Sequence, residues 1–103
     1  MKIFLDDERS PPDSMLPCHI IRTYKTFTCL VDAPGVKFEF ISFDHDLGEE
    51  RTGLDCAKYL VEADMDRGVL SDEFWFYVHS MNPVGGANIT QYLTSYLKQR
   101  GKL

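Results

Sequence analysis

Residues 40–48, FISFDHDLG, carry the transition on which the reading of the whole chain turns. Phe40-Ile41-Ser42-Phe43 reads as a buried β-strand that ends abruptly in Asp44-His45-Asp46, three consecutive side chains able to titrate or to bind a metal. In open α/β sheets ligands bind outside the carboxyl ends of the strands, where the elements leave a crevice. A strand ending in Asp-His-Asp therefore marks a candidate site. A lone aspartate there would be no more than the start of a polar loop, so the other strand ends decide.

Working outward, residues 2–5 form a short apolar run closed at once by Asp6-Asp7-Glu8-Arg9. Residues 74–78, FWFYV, form another, closed by His79-Ser80-Met81-Asn82-Pro83. Apolar runs of this length suit the buried strands of a parallel sheet. Residues 19–23, HIIRT, rich in β-branched side chains, predict a fourth strand. Between the first two strands, Ser10-Pro11-Pro12-Asp13 excludes a helix, because the prolines remove donors and push preceding residues to extended backbone.

Helical spacing appears three times. Phe27, Leu30 and Val31 predict a short helix ended by Pro34-Gly35. Leu54, Ala57, Leu60, Val61 and Met65 predict a second with Gly68 as its stop. Ile89, Tyr92, Leu93, Tyr96 and Leu97 form the stripe of a third, preceded by Gly85-Gly86 and closed by Gly101. Strands alternating with helices through right-handed crossovers make a parallel sheet with helices on its faces.

The 103 residues are the size of one domain, and 44% hydrophobic content with 13% aromatics predicts a folded core. A net charge of -5, spread along the chain, argues against general nucleic-acid backbone binding. A small phosphate ligand remains compatible with an acidic site if a divalent cation mediates. Cys18, Cys29 and Cys56 make no CxxC pair, so reduced and mostly buried thiols in a cytoplasmic setting are expected. No apolar run matches a signal peptide or a membrane span, which predicts a soluble, intracellular protein.

If the strands are parallel, Asp6, Asp7, Asp44, Asp46, His45 and His79 gather at one sheet edge. Clustered carboxylates repel, and Mg²⁺ or Mn²⁺ would relieve the cost with Asp6, Asp7, Asp44 and Asp46 as candidate ligands. His45 and His79 are candidates for general base and acid; a lone histidine after an apolar strand is otherwise a hydrogen-bonded rim residue. Arg9 is a candidate phosphate clamp, or a salt-bridge partner of Glu8 or Asp13. Ser80 and Asn82 are candidate substrate contacts. Thr52 is another, although with Asp55 three residues on it also fits the N-cap of the second helix. The 82–86 segment offers either amides for an anion or a flexible loop. His19 and the tyrosines carry no special signal.

These blocks resemble the response-regulator receiver domain: an acidic pair after the first strand, Asp44 after the third with Gly53 nine residues on, and His79-Ser80 after the fourth. The resemblance spans nearly the whole chain. It lacks the first helix, a fifth strand and the lysine that ends it, has His79 where a small hydroxyl residue is usual, and has Leu47-Gly48 where Met-Pro is usual. FLDDER, SFDHDLG with a following Thr-Gly, and VHSMNPVG are instead similar to the cyclic-phosphate processing receiver-like family.

That resemblance implies a small three-layer, flavodoxin-like α/β sandwich with four parallel strands in the order 2-1-3-4 and three helices. It also implies phosphoesterase chemistry on a cyclic phosphate, in a small molecule, a nucleotide or an RNA end, with Asp44 as a catalytic or metal-holding group. The alternatives are a phosphoacceptor or signalling receiver and a binding module without chemistry. The missing fifth strand would leave a sheet edge at which a dimer is possible.

Overall fold

The computed structural model describes residues 1–101, which form a four-stranded parallel sheet and three α-helices. β1 (Lys2–Leu5), β2 (His19–Ile21), β3 (Phe38–Phe43) and β4 (Leu70–Val78) stand in the order β2-β1-β3-β4. The helices are α1 (Tyr24–Val31), α2 (Gly53–Arg67) and α3 (Pro83–Gln99). The element count, the order and the parallel pairing are those of the expected receiver-like fold.

Three boundaries differ from the sequence reading for local reasons. β2 stops at Ile21 because Thr23 serves as N-cap of α1, its hydroxyl accepting from the Thr26 amide at 3.1 Å. β4 begins at Leu70, four residues before its apolar core, and its pairing with β3 is irregular between Phe38 and Phe40. Met65, placed by pattern on the inner face of α2, is 65% exposed, and Asp64 is buried instead. Seven residues make nearly two turns from Ala57, so position 64 comes back to the same face while position 65 turns out.

Handedness explains where the layers lie. The step from β1 to β2 runs one way across the sheet, whereas β2 to β3 and β3 to β4 run the other way. Right-handed crossovers put opposite steps on opposite faces. α1 and α2 therefore share a face, and α3 packs beside α2 there. Their buried side chains, among them Phe27, Leu60, Ile89 and Leu93, meet Ile3, Leu5, Ile41, Phe43, Phe74 and Phe76 of the sheet.

The opposite face carries only the β1–β2 connection, where Pro11 and Pro12 permit nothing longer than a 3-10 turn at Asp13–Met15. The outer layer is thus a loop that covers part of its face. Beyond it the side chains of Ile20, Trp75 and Tyr77 are 42%, 48% and 62% exposed. FWFYV, apolar throughout, has one face in the core and the other uncovered.

Candidate active site

Asp6, Asp44 and His79 each follow the last residue of a strand, and each is still held in the ladder by its neighbour. The Asp6 amide donates to Ile21 O at 3.0 Å, that of Asp44 to Leu5 O at 2.9 Å, and that of His79 to Phe43 O at 2.9 Å. Register thus sets the three residues in one row. Side chains alternate along a strand, so the row shares the face opposite the helices with Phe4, Ser42 and Tyr77, which lie two residues earlier on the same strands; Phe4 and Ser42 are buried and Tyr77 is exposed. Asp6 is 1% and Asp44 6% exposed.

Asp6 is the hub. Its Oδ1 accepts from the amides of Glu8 and Arg9, both at 2.8 Å. Its Oδ2 accepts from Arg9 Nε at 2.9 Å and lies 3.0 Å from His79 Nε2. Burial pushes the Asp6 carboxyl up, but the Arg9 and Glu8 amides, then His79, then the Arg9 charge together outweigh it and leave its pKa below the ordinary 3.8. Arg9 also brings Nη2 to 3.6 Å from Asp44 Oδ1 and to 3.3 Å from the His79 carbonyl. The loop that carries Arg9 is pinned by Arg22, whose Nη1 donates to the carbonyls of Asp6 and Arg9.

His79 stacks on Phe4 with centroids 4.5 Å apart and places Nδ1 at 2.7 Å from Ser42 Oγ. Burial lowers its pKa, more than the opposing pull of Asp6 raises it. A neutral imidazole beside a charged carboxylate must carry its proton on Nε2, since a carboxylate only accepts. Nδ1 then accepts from the Ser42 hydroxyl. Because a hydroxyl both donates and accepts, Ser42 can support the reverse tautomer too.

Other candidates have different places. Asp7 and Asp46 line the same cleft, of about 530 Å³, together with Glu8, Gly48 and the exposed Met81. His45 sits on the helical side: a Cβ on Gly85 would come within 2.4 Å of its ring. Its Nδ1 is 3.2 Å from Asp46 Oδ1. Among the described residues no hydrogen bond or ring contact joins His45 to His79; the first reaches the cleft through Asp46, the second through Asp6.

Ser80, Asn82 and Thr52 are engaged in shaping helix starts. Ser80 Oγ accepts from the Asn82 amide at 3.0 Å, and Asn82 caps α3 by accepting from the Gly85 amide at 2.9 Å. Asn82 Nδ2 reaches Asp46 at 3.4 Å. The amides of Gly85 and Gly86 both donate to Asn82, so neither glycine offers a free amide to an anion. Thr52 and Asp55 form the reciprocal capping box of α2. Gly53 is dictated by a close approach, since a Cβ there would lie 1.8 Å from the Asp44 carbonyl oxygen.

Ser42, Phe4 and Arg22 were not singled out by the sequence reading. Alternation alone would have found Ser42 and Phe4, each two residues before a site aspartate; Arg22 has no local signal. The thiols also differ from expectation: Cys56 is buried, whereas Cys18 is half-buried and Cys29 exposed. Cys18 borders the β1–β2 loop and Cys29 lies on the outer side of α1.

Donor atoms of Asp6, Asp44 and His79 all lie within 4.8 Å of one another, a spacing that fits one divalent cation with two oxygens and one nitrogen. Four parallel strands in the order β2-β1-β3-β4 with three helices, and acidic residues at the strand ends, make this a receiver-like α/β domain. The chain belongs to the cyclic-phosphate processing receiver domain family, which residues 1–95 match. Comparison with curated proteins and with solved structures returned no match. Among the described residues no helix is long and apolar enough to cross a membrane.

Proposed function

We propose that this chain is a metal-dependent phosphoesterase that opens a cyclic phosphate carried by a small molecule or nucleotide. The carrying observation is the row of Asp6, Asp44 and His79, with donor atoms within 4.8 Å of one another. The family's description as cyclic-phosphate processing supports the same reading. The cleft presents the carboxylates of Asp6, Asp7, Glu8, Asp44 and Asp46 against the single guanidinium of Arg9, so a phosphate anion is repelled unless a cation intervenes. Mixed carboxylate and imidazole donors suit Mn²⁺ better than Mg²⁺, which favours oxygen alone.

When bound, such an ion supplies Lewis-acid polarisation of the phosphoryl group. Asp6 and Asp44 would hold it, and His79 would join them through the tautomer in which Nδ1–H donates to Ser42 Oγ. Arg9, already over both carboxylates, hydrogen-bonds the remaining phosphate oxygens. Asp46, backed by His45, accepts a proton from the attacking water. The water oxygen bonds to phosphorus, one ring P–O bond breaks, and the departing oxygen takes a proton from solvent in this open cleft, leaving a phosphomonoester. A cytoplasmic setting accords with the free thiols.

The test is turnover of a panel of cyclic phosphates with and without Mn²⁺. The wild type should open at least one ring in a Mn²⁺-dependent way, and Asp44→Asn and His79→Ala should each lose about 100-fold or more. No turnover on any substrate, or a His79→Ala enzyme equal to wild type, sinks the proposal. The second reading, a phosphoacceptor, is favoured by the burial of Asp44 beside Asp6 at a strand end. A stable adduct formed from acetyl phosphate and Mg²⁺, lost in Asp44→Asn and unaccompanied by ring opening, would favour it.

A further inference from the structure

The uncovered sheet face is not featureless. A groove of about 520 Å³ runs along it below the Asp6-Asp44-His79 row, with Phe4, Pro12, Met15, Phe40 and Tyr77 as its apolar walls. Lys2 and Ser14 add polar groups at the edges, and His79 and Ser42 form its upper end. His79 therefore stands between the two spaces, lining the groove while its Nε2 lies 3.0 Å from Asp6 of the acidic cleft. The groove exists because the β1–β2 connection is a loop, and its far wall is Tyr77, 62% exposed.

We propose that this groove holds the base of a nucleoside cyclic monophosphate whose phosphate lies at the acidic cleft; the proposal rests on the phosphoesterase reading above and names its substrate class. Three features select this occupant. First, the groove adjoins the site: His79, at its upper end, lies 3.0 Å from Asp6 of the acidic cleft, so the two spaces are one side chain apart. Second, its lining is aromatic and apolar, suited to the face of a planar ring and not to a sugar chain or a second phosphate. Third, the molecule carries a net charge of -5, and Lys2 is the sole cationic residue of the groove lining. A polynucleotide depends on clustered Lys and Arg for its affinity, so a mononucleotide fits this surface better.

The test compares three probes by calorimetry with Mn²⁺ present, on the Asp46→Asn background that lacks the proposed base and so does not consume them: adenosine 2′,3′-cyclic phosphate, glycerol 1,2-cyclic phosphate and adenosine. Adenosine 2′,3′-cyclic phosphate should bind about ten-fold or more tighter than the glycerol ester, the range expected of base–aromatic stacking. Tyr77→Ala should remove that advantage without changing glycerol ester binding, and Tyr77→Phe should restore it. Tyr77 is exposed, so neither substitution touches the core.

Equal affinity for the two cyclic esters overturns the base site and leaves the phosphoesterase reading standing. Adenosine binding as tightly as its cyclic phosphate, and sensitive to Tyr77→Ala, supports the groove and overturns the phosphate reading. Much tighter binding of an oligoribonucleotide ending in a 2′,3′-cyclic phosphate overturns the choice of a mononucleotide. A dimer in sedimentation that Tyr77→Ala converts to monomer assigns the face to a second copy of the chain and also overturns the proposal.

Discussion

Two glycines show how single residues set the site's dimensions. A Cβ on Gly53 would meet backbone, 1.8 Å from the Asp44 carbonyl oxygen, and the Gly53 amide donates to His45 O at 2.7 Å. Backbone cannot swing aside, so Gly53→Ala must lever the start of α2 off the end of β3. We expect a loss of about 3 kcal/mol, the upper end of overpacking costs, in urea unfolding; a loss below about 1 kcal/mol would contradict the close approach. The three atoms nearest a Cβ on Gly85 belong to the His45 ring, with Cγ at 2.4 Å, so the whole imidazole must shift. Gly85→Ala should therefore displace His45 from Asp46, read as lower turnover of cyclic phosphates in the presence of Mn²⁺; unchanged turnover would contradict the support of Asp46 by His45.

Among elements, the junction of α2, β4 and α3 depends on Asp64. Its carboxylate accepts from the Leu70 amide at 2.9 Å, Arg100 Nε at 3.1 Å and Tyr96 Oη at 2.5 Å, one partner from β4 and two from α3 and its C-cap. A buried carboxylate satisfied three times holds three segments in register. Burial, then the bond to Asp64, raises the Tyr96 pKa from 10.0 to about 12. A phenol with a raised folded pKa contributes stability that is complete below its unfolded value and is lost as pH rises through the folded one. Stability should therefore decline between about pH 10 and 12, and Tyr96→Phe should flatten that part of the curve relative to wild type. Identical slopes for the two proteins would exclude the linkage.

At the scale of the whole molecule, a cation that binds only the folded chain must stabilise it by mass action. At free Mn²⁺ about 100 times its Kd the gain is about 2.7 kcal/mol, on the order of 10 °C or more in Tm for a domain of this size. Asp6→Asn should abolish the Mn²⁺-dependent rise in a thermal melt. A rise of equal size in that variant would place the ion elsewhere.

The resemblance implied the sheet order; the parallel sheet, the helix count and the convergence of Asp6, Asp44 and His79 were legible in the chain itself. They rest on local physics: apolar runs of strand length, prolines that forbid a helix at 11–12, helical spacing, and crossovers of one hand. The capping of α2 by Thr52 was equally visible, because caps are short-range. What local pattern cannot contain is which of two faces a strand-end side chain shares with another, since that depends on register between residues far apart in sequence. The contacts of His79 with Ser42 and Asp6 span 37 and 73 positions. Only the tertiary structure separated His45 from His79, gave Asp64 the place the pattern offered to Met65, and opened the face beneath the site. The FISFDHDLG stretch by itself identified a strand ending in metal-binding groups; packing decided that Ser42 meets His79 and that His45 faces the helices.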